Sequence, residues 1–267
     1  MAATAAQAAQ TAVPSLAVRA RDVLTSEWTK FWSVRSTYWT LLVAVITPIA
    51  LGDLVAFAEA QPSPGAPPDP LLAGFISQEY AALAAIVLGV LAFSSEFSTG
   101  LIRTTFAAEP RRRAVLAAKA VVIGAITLIA GELVSFTSFF IDQAMLHSRH
   151  LGVSLSHPGV PGAVLANGVL LFVCAVLGLA FGLILRHTAG AIAAAIGLIV
   201  LPAILSLLPA PWGARVGRFT IVDAAEQVTA LHAKVNMFSP AWSMLVLMAW
   251  PAIALIIAAL LITRRDV

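Results

Sequence analysis

Six separate stretches of this chain, at residues 38–58, 71–93, 120–141, 163–185, 189–208 and 242–262, are apolar for about 20 residues each, the length needed to cross roughly 30 Å of hydrocarbon. That pattern leaves little choice of fold. Backbone N–H and C=O groups have no water to bond in a bilayer core, so each crossing has to satisfy its own as a helix. The chain is 60% hydrophobic and 11% charged, where a soluble domain carries about 25% charged residues. The expected fold is therefore all-α: a polytopic membrane protein with six transmembrane helices, preceded by an amphipathic interfacial helix, both termini cytoplasmic.

Three regions are expected along the chain. Residues 1–15 form an Ala/Gln/Thr tail read as disordered, 16–37 an amphipathic interfacial helix, and 38–267 the six-helix domain. In the interfacial segment Leu24, Trp28, Phe31 and Trp32 recur at helical spacing, which suits a helix lying in the headgroup layer. Its candidate interfacial residues are Arg21, Glu27, Trp28, Lys30, Trp32 and Arg35, with Tyr38 and Trp39 adding aromatic anchorage. No apolar core with a small-residue cleavage site stands in the first 38 residues, so insertion is expected to begin at the first span. That span is expected to be broken at Pro48.

The net charge is +3, but the basic residues do not gather into a patch with interleaved aromatics, so nucleic acid is not an expected partner. They follow membrane topology instead. Twelve of the 16 Lys and Arg residues fall on one side of the six crossings: Arg19, Arg21, Lys30, Arg35, Arg103, Arg111, Arg112, Arg113, Lys119, Arg186, Arg264 and Arg265. Arg149, Arg215, Arg218 and Lys234 fall on the other. The positive-inside rule makes the first side cytoplasmic, and an even number of crossings requires termini on one side.

No catalytic apparatus is legible. The GxxxxGK[ST] phosphate loop, the HExxH zinc helix and the GxSxG elbow are absent from the sequence. The chain is therefore not expected to be an enzyme. The single cysteine, Cys174, lies in an apolar run. His147 and His150 stand at i,i+3, yet no adjacent carboxylate or cysteine completes a ligand set, and no metal is expected.

Three segments carry a resemblance: SEWTKFWSVRSTYWTLL at 26–42, EFSTGLIRTTFAAEPRRRAVLAAK at 96–119, and a last span that closes on RRDV. Together, on a six-span frame, they resemble the ABC-2 type permeases of actinobacteria. The resemblance implies a permease, mostly an exporter in that family, in the bacterial plasma membrane. It further implies a dimer with a second copy or a paralogue, and a separate ABC ATP-binding subunit that holds ATP and Mg; this chain binds no cofactor. It also makes the loop at 94–119 the coupling element, with Glu96, Gly100, Arg103, Glu109, Arg111, Arg112 and Arg113 as candidate residues, and sets a re-entrant element near 223–234. The physical reading of the loop agrees, since contact with a soluble ATPase needs a short rigid projection bearing charge, and the alternative is that its arginines only fix topology and touch anionic lipid.

Asp53 and Glu132 are the acids singled out inside spans. Each sits about thirteen residues from the cytoplasmic end of its span, roughly 20 Å deep, where an ionised acid is costly. No Lys or Arg lies within a span, so neither has a partner there. They are candidates for lining a path, for proton coupling, or for a hydrated position nearer the surface. A proton-coupled secondary carrier and a non-transporting scaffold or immunity-type protein are the alternative functions, although inverted repeats, which the carrier should have, are not visible.

Overall fold

The structure, a computed structural model, describes residues 16–59, 61, 70–147, 150–209, 211–231 and 237–264. The expected disordered tail at 1–15 and most of the Pro-rich loop lie outside these. Among the described residues the chain is helical, without strands. In chain order the helices are α1 (Leu16–Ser33), α2 (Arg35–Glu59), α3 (Leu72–Thr99), α4 (Leu101–Ala108), α5 (Arg112–His147), α6 (Val160–Leu185), α7 (Thr188–Leu205), α8 (Trp212–Gly217), α9 (Ile221–Thr229) and α10 (Pro240–Arg264). Six of them, α2, α3, α5, α6, α7 and α10, are long and apolar enough to span a membrane. This is a multi-pass membrane protein.

The helices overrun the apolar stretches. The third crossing, expected at 120–141, is the 36-residue α5, about 54 Å long, so both of its ends project beyond the hydrocarbon. Its first turns carry Arg112, Arg113 and Lys119, its last Asp142 and Gln143. Residues 94–119 are correspondingly not a loop. Helix α3 continues to Thr99, Gly100 breaks it at φ +74°, α4 follows at once, and only 109–111 separate α4 from α5. Nor does Pro48 break the first span, because α2 runs unbroken through it. A proline there removes one backbone donor, which a membrane helix tolerates where neighbouring groups compensate. The interfacial helix ends at Ser33, and only Val34 separates it from α2.

Helix α6 is the hub, and it packs most closely on α3. Small residues make that approach possible: a Cβ on Gly178 would meet the Ile86 carbonyl, one on Gly89 the Ala175 carbonyl, and one on Gly182 the Val90 carbonyl at 2.7 Å. Helix α5 packs on α6 in the same way at Gly131, where a Cβ would meet the Gly168 carbonyl. The outer helices are much less enclosed. Leu42, Val43, Ile46 and Leu54 of α2, Val200 and Ile204 of α7, and Ile253, Ile256 and Leu260 of α10 are exposed. Such a surface is stable only against lipid or another apolar chain.

The two ends of the bundle differ. One end, here the basic end, holds α1, α4, the start of α5 and the end of α10. At the opposite end α9 is tucked inside, with Ile221, Ala224, Ala225 and Gln227 buried and its first turn capped by the Thr220 hydroxyl, which accepts from the Asp223 N–H at 3.3 Å.

Candidate functional site

At the basic end four charged side chains from three helices close into a ring of alternating sign. Lys30 of α1 donates to Glu27 Oε1 at 2.7 Å and to Glu96 Oε1 of α3 at 3.3 Å. Lys119 of α5 lies 2.7 Å from Glu96 Oε1 and 2.6 Å from Glu27 Oε2. Lys30 also donates to the Thr105 hydroxyl of α4 at 3.2 Å, so the ring holds α1, α3, α4 and α5 together. Glu27, Glu96 and Lys119 are 4%, 6% and 5% exposed. Buried charges require this kind of mutual pairing, because each alone would be strongly destabilising. Burial pulls the Lys30 ammonium down, but the hydrogen bond and charge of Glu27, joined by Glu96, outweigh it and hold the group above its ordinary 10.5.

Three expectations change here. Glu96 is a buried ion-pair partner in α3, not a charge on a projecting loop, because its carboxylate is taken up by two lysines. Glu27 faces inward with Phe31, while Trp28 at 49% exposure faces away. Lys119 is an interior cation within a spanning helix, its ammonium 5.4 Å from the centre of the Phe93 ring.

The other coupling candidates divide into two groups. Arg103 and Arg111 are exposed. Arg112 and Arg113 are engaged within the chain: Arg112 Nη1 donates to the Ile262 carbonyl at 3.2 Å and Arg113 Nε to the Ala259 carbonyl at 3.3 Å. Ile262 is among the last residues of α10, whose final four carbonyls have no helical partner, so Arg112 caps that helix end, while Arg113 adds a second donor to a carbonyl one turn earlier. Glu109 ends α4 and accepts from the Arg111 N–H at 3.0 Å. Between α1 and α4 runs an open groove of about 660 Å³, with Asp22, Thr104 and Glu109 on its walls. Of the remaining interfacial candidates, Arg21 and Arg35 are exposed, and Trp32 makes edge contacts with Trp28 at 5.7 Å and Phe31 at 5.0 Å between ring centres.

Against the ring, among α1, α2, α3, α4 and α5, lies a cavity of about 320 Å³. Glu27, Lys30, Glu96 and Lys119 form part of its wall, and Leu88, Leu91 and Val122 part of the rest.

A second polar group occupies the opposite end. Asp53 lies fewer than two turns from the end of α2, and Asp142 fewer than two turns from the end of α5. Asp53 lies six residues from the end of α2, much where the expected 38–58 span puts it. Asp142 is 2% exposed and lines a void of about 20 Å³ with Asn167 and Ser135. Asn167 donates to the Gly74 carbonyl at 3.1 Å, while Asn167 Oδ1, Asp142 Oδ1 and Asp53 Oδ1 have no hydrogen-bond partner. Glu132 stays deep, its carboxyl against Gly168 of α6. The sequence reading passes over Asp142 because the apolar stretch ends one residue before it, and over Glu79, which α3 carries two turns in and which interacts electrostatically with Glu226 of α9. Among the described residues no group of three or more His, Cys, Asp and Glu side chains is placed to hold a metal ion.

No protein-family model matches this sequence, and no curated protein is significantly similar to it.

Proposed function

We propose that this chain is the permease subunit of an ABC-type exporter in the bacterial plasma membrane, driven by a separate ATP-binding subunit that docks on the basic end, taken as cytoplasmic. The observation that carries the reading is the placement of α4. It is a two-turn helix behind the Gly100 break, bound through Thr105 and the ion ring to α1, α3 and α5. Force applied to such an element passes to two spanning helices and the interfacial helix together. The exposed Arg103 and Arg111 and the groove between α1 and α4 supply a charged contact surface. The partner would hold ATP and Mg and do the hydrolysis, and the chain itself would act without catalytic residues or cofactor. The lightly buried outer helices suit a dimer with a second copy or a paralogue.

The test is co-expression with an ABC ATP-binding subunit encoded beside this chain, followed by purification and reconstitution. Arg103→Glu with Arg111→Glu should abolish co-purification and permease-dependent ATP hydrolysis without altering the fold. An ATP-binding subunit that fails to associate with the unaltered chain overturns the reading.

A second reading rests on the opposite end. Asp142, buried without a cation partner among the described residues, is the kind of group a cation-coupled carrier uses. That reading requires transport driven by an ion gradient in the absence of ATP.

A further inference from the structure

Where the start of α5 meets the end of α10, an open pocket of about 430 Å³ is walled by Pro110, Arg111, Arg112, Arg113 and Thr263. Its wall carries three arginines and no acid. Glu109, two residues before Arg111, accepts from the Arg111 N–H, and the salt bridges among the described residues all belong to the ring around Lys30 and Lys119. Two of the three arginines are held in place by the chain. Arg112 Nη1 donates to the Ile262 carbonyl, and its guanidinium lies 5.3 Å from the centre of the Phe106 ring. Arg113 gives Nε to the Ala259 carbonyl at 3.3 Å, which leaves Nη1 and Nη2 without an acceptor among the described residues. Two such nitrogens fit a phosphate bidentately, and a guanidinium already held loses less freedom on binding.

Away from the pocket both helices carry exposed apolar faces. On α10, Leu260, Ile256 and Ile253 follow back from Thr263 in steps of three or four residues, and all three are exposed. On α5, Ala117 and Val121 follow Arg113 in steps of four, also exposed. Helical periodicity puts each series on one face, so the arginine pocket runs on into a surface that suits lipid. A basic pocket between spanning helices is the kind of site that takes an anionic headgroup. We propose that this pocket binds an anionic phospholipid, its phosphate held by Arg113 beside Arg111 and Arg112 and its acyl chains lying along the exposed faces of α5 and α10. The bound lipid then fastens the start of one crossing helix to the end of another. The inference rests on the pocket and stands apart from the permease reading.

The experiment uses the whole chain in dodecyl maltoside, without any ATP-binding subunit, and measures binding of radiolabelled dioleoyl phosphatidylglycerol after subtraction of empty micelles. Unlabelled phosphatidylglycerol should compete about tenfold or more better than phosphatidylcholine with the same acyl chains, whose trimethylammonium offsets its own phosphate. Arg113→Gln should weaken binding about tenfold, the worth of a hydrogen-bonded contact to a charged group. Arg113→Lys keeps the charge but not the paired nitrogens and should recover only part of the loss. Because Arg113 is exposed, both variants should unfold near the temperature of the unaltered chain. Arg21→Gln and Arg35→Gln remove exposed arginines from the same end of the bundle outside the pocket, and each should leave binding unchanged. An equal loss in those two variants would mean that the basic end attracts lipid by net charge alone, and overturns the proposal. Equal competition by phosphatidylcholine overturns it as well, as does displacement of the label by millimolar inorganic phosphate, which would assign the pocket to a soluble anion.

Discussion

Lys119 and Glu27 stand 92 positions apart in the chain and 2.6 Å apart in the structure, and the contact sets the interfacial helix onto the bundle. Each is almost fully buried, so each depends on the other. Lys119→Met should leave two buried carboxylates sharing one lysine and cost about 3–5 kcal/mol, the usual cost of breaking a buried pair from one side. The double variant Lys119→Met with Glu27→Gln should recover part of that loss, since it removes one charge of each sign. Thermal unfolding of the single and double variants in the same detergent measures the coupling; strictly additive losses would mean the two residues do not depend on each other.

The same ring shows how far the sequence reaches. Glu27 and Lys30 are legible as a pair, because i,i+3 spacing brings side chains together on any helix. Glu96 and Lys119 are not. Taken singly they look like solvated loop charges, and that is why the second and third spans are drawn too short and the segment between them is read as a loop. Their burial follows from tertiary pairing across 23 residues, which no local pattern announces. The six crossings themselves were legible because hydrocarbon thickness imposes a length that any apolar run reports directly. Asp142 was hidden by the same limit: α5 outlasts its apolar stretch, and the sequence does not say that a helix goes on when its hydrophobicity stops.

The pH dependence of Lys30 has a definite sign. Its folded pKa is raised above 10.5, so the stability it contributes is fully present below that value and is lost as pH rises through the folded pKa. Unfolding temperature should therefore show no Lys30-dependent change between pH 6 and pH 9, and Lys30→Met should remove part of the decline seen above about pH 10.5. A Lys30-dependent transition near neutral pH would contradict the paired geometry.

The three consecutive arginines should separate by function. Arg112 caps the Ile262 carbonyl at the end of α10, and loss of that donor should cost about 1 kcal/mol; loss of Arg113, exposed and bonded to a carbonyl that the helix already serves, should cost less. Arg111→Ala should leave stability unchanged, since its side chain is exposed. If Arg111 and Arg103 serve a partner, their substitution should affect co-purification alone. Comparing unfolding temperature with pull-down for each single variant distinguishes the two roles, which a triple substitution would merge.

Two glycines test the packing of the hub. A Cβ at Gly178 would fall on the Ile86 carbonyl of α3, while one at Gly197 in α7 would meet nothing within 4 Å. Both sit in helix interiors, where alanine is intrinsically better than glycine by up to about 1 kcal/mol. At Gly197 that preference should appear unopposed, and Gly197→Ala should be neutral or raise the unfolding temperature. At Gly178 the obstacle is backbone, which cannot swing aside as a flexible side chain would, so α3 and α6 have to separate. Overpacking of this kind costs about 1–3 kcal/mol, enough to outweigh the helical gain. Gly178→Ala should therefore lower the unfolding temperature, and Gly178→Leu should lower it further. The opposite order of the two alanine variants would mean that α3 and α6 are not in contact through these glycines in the membrane.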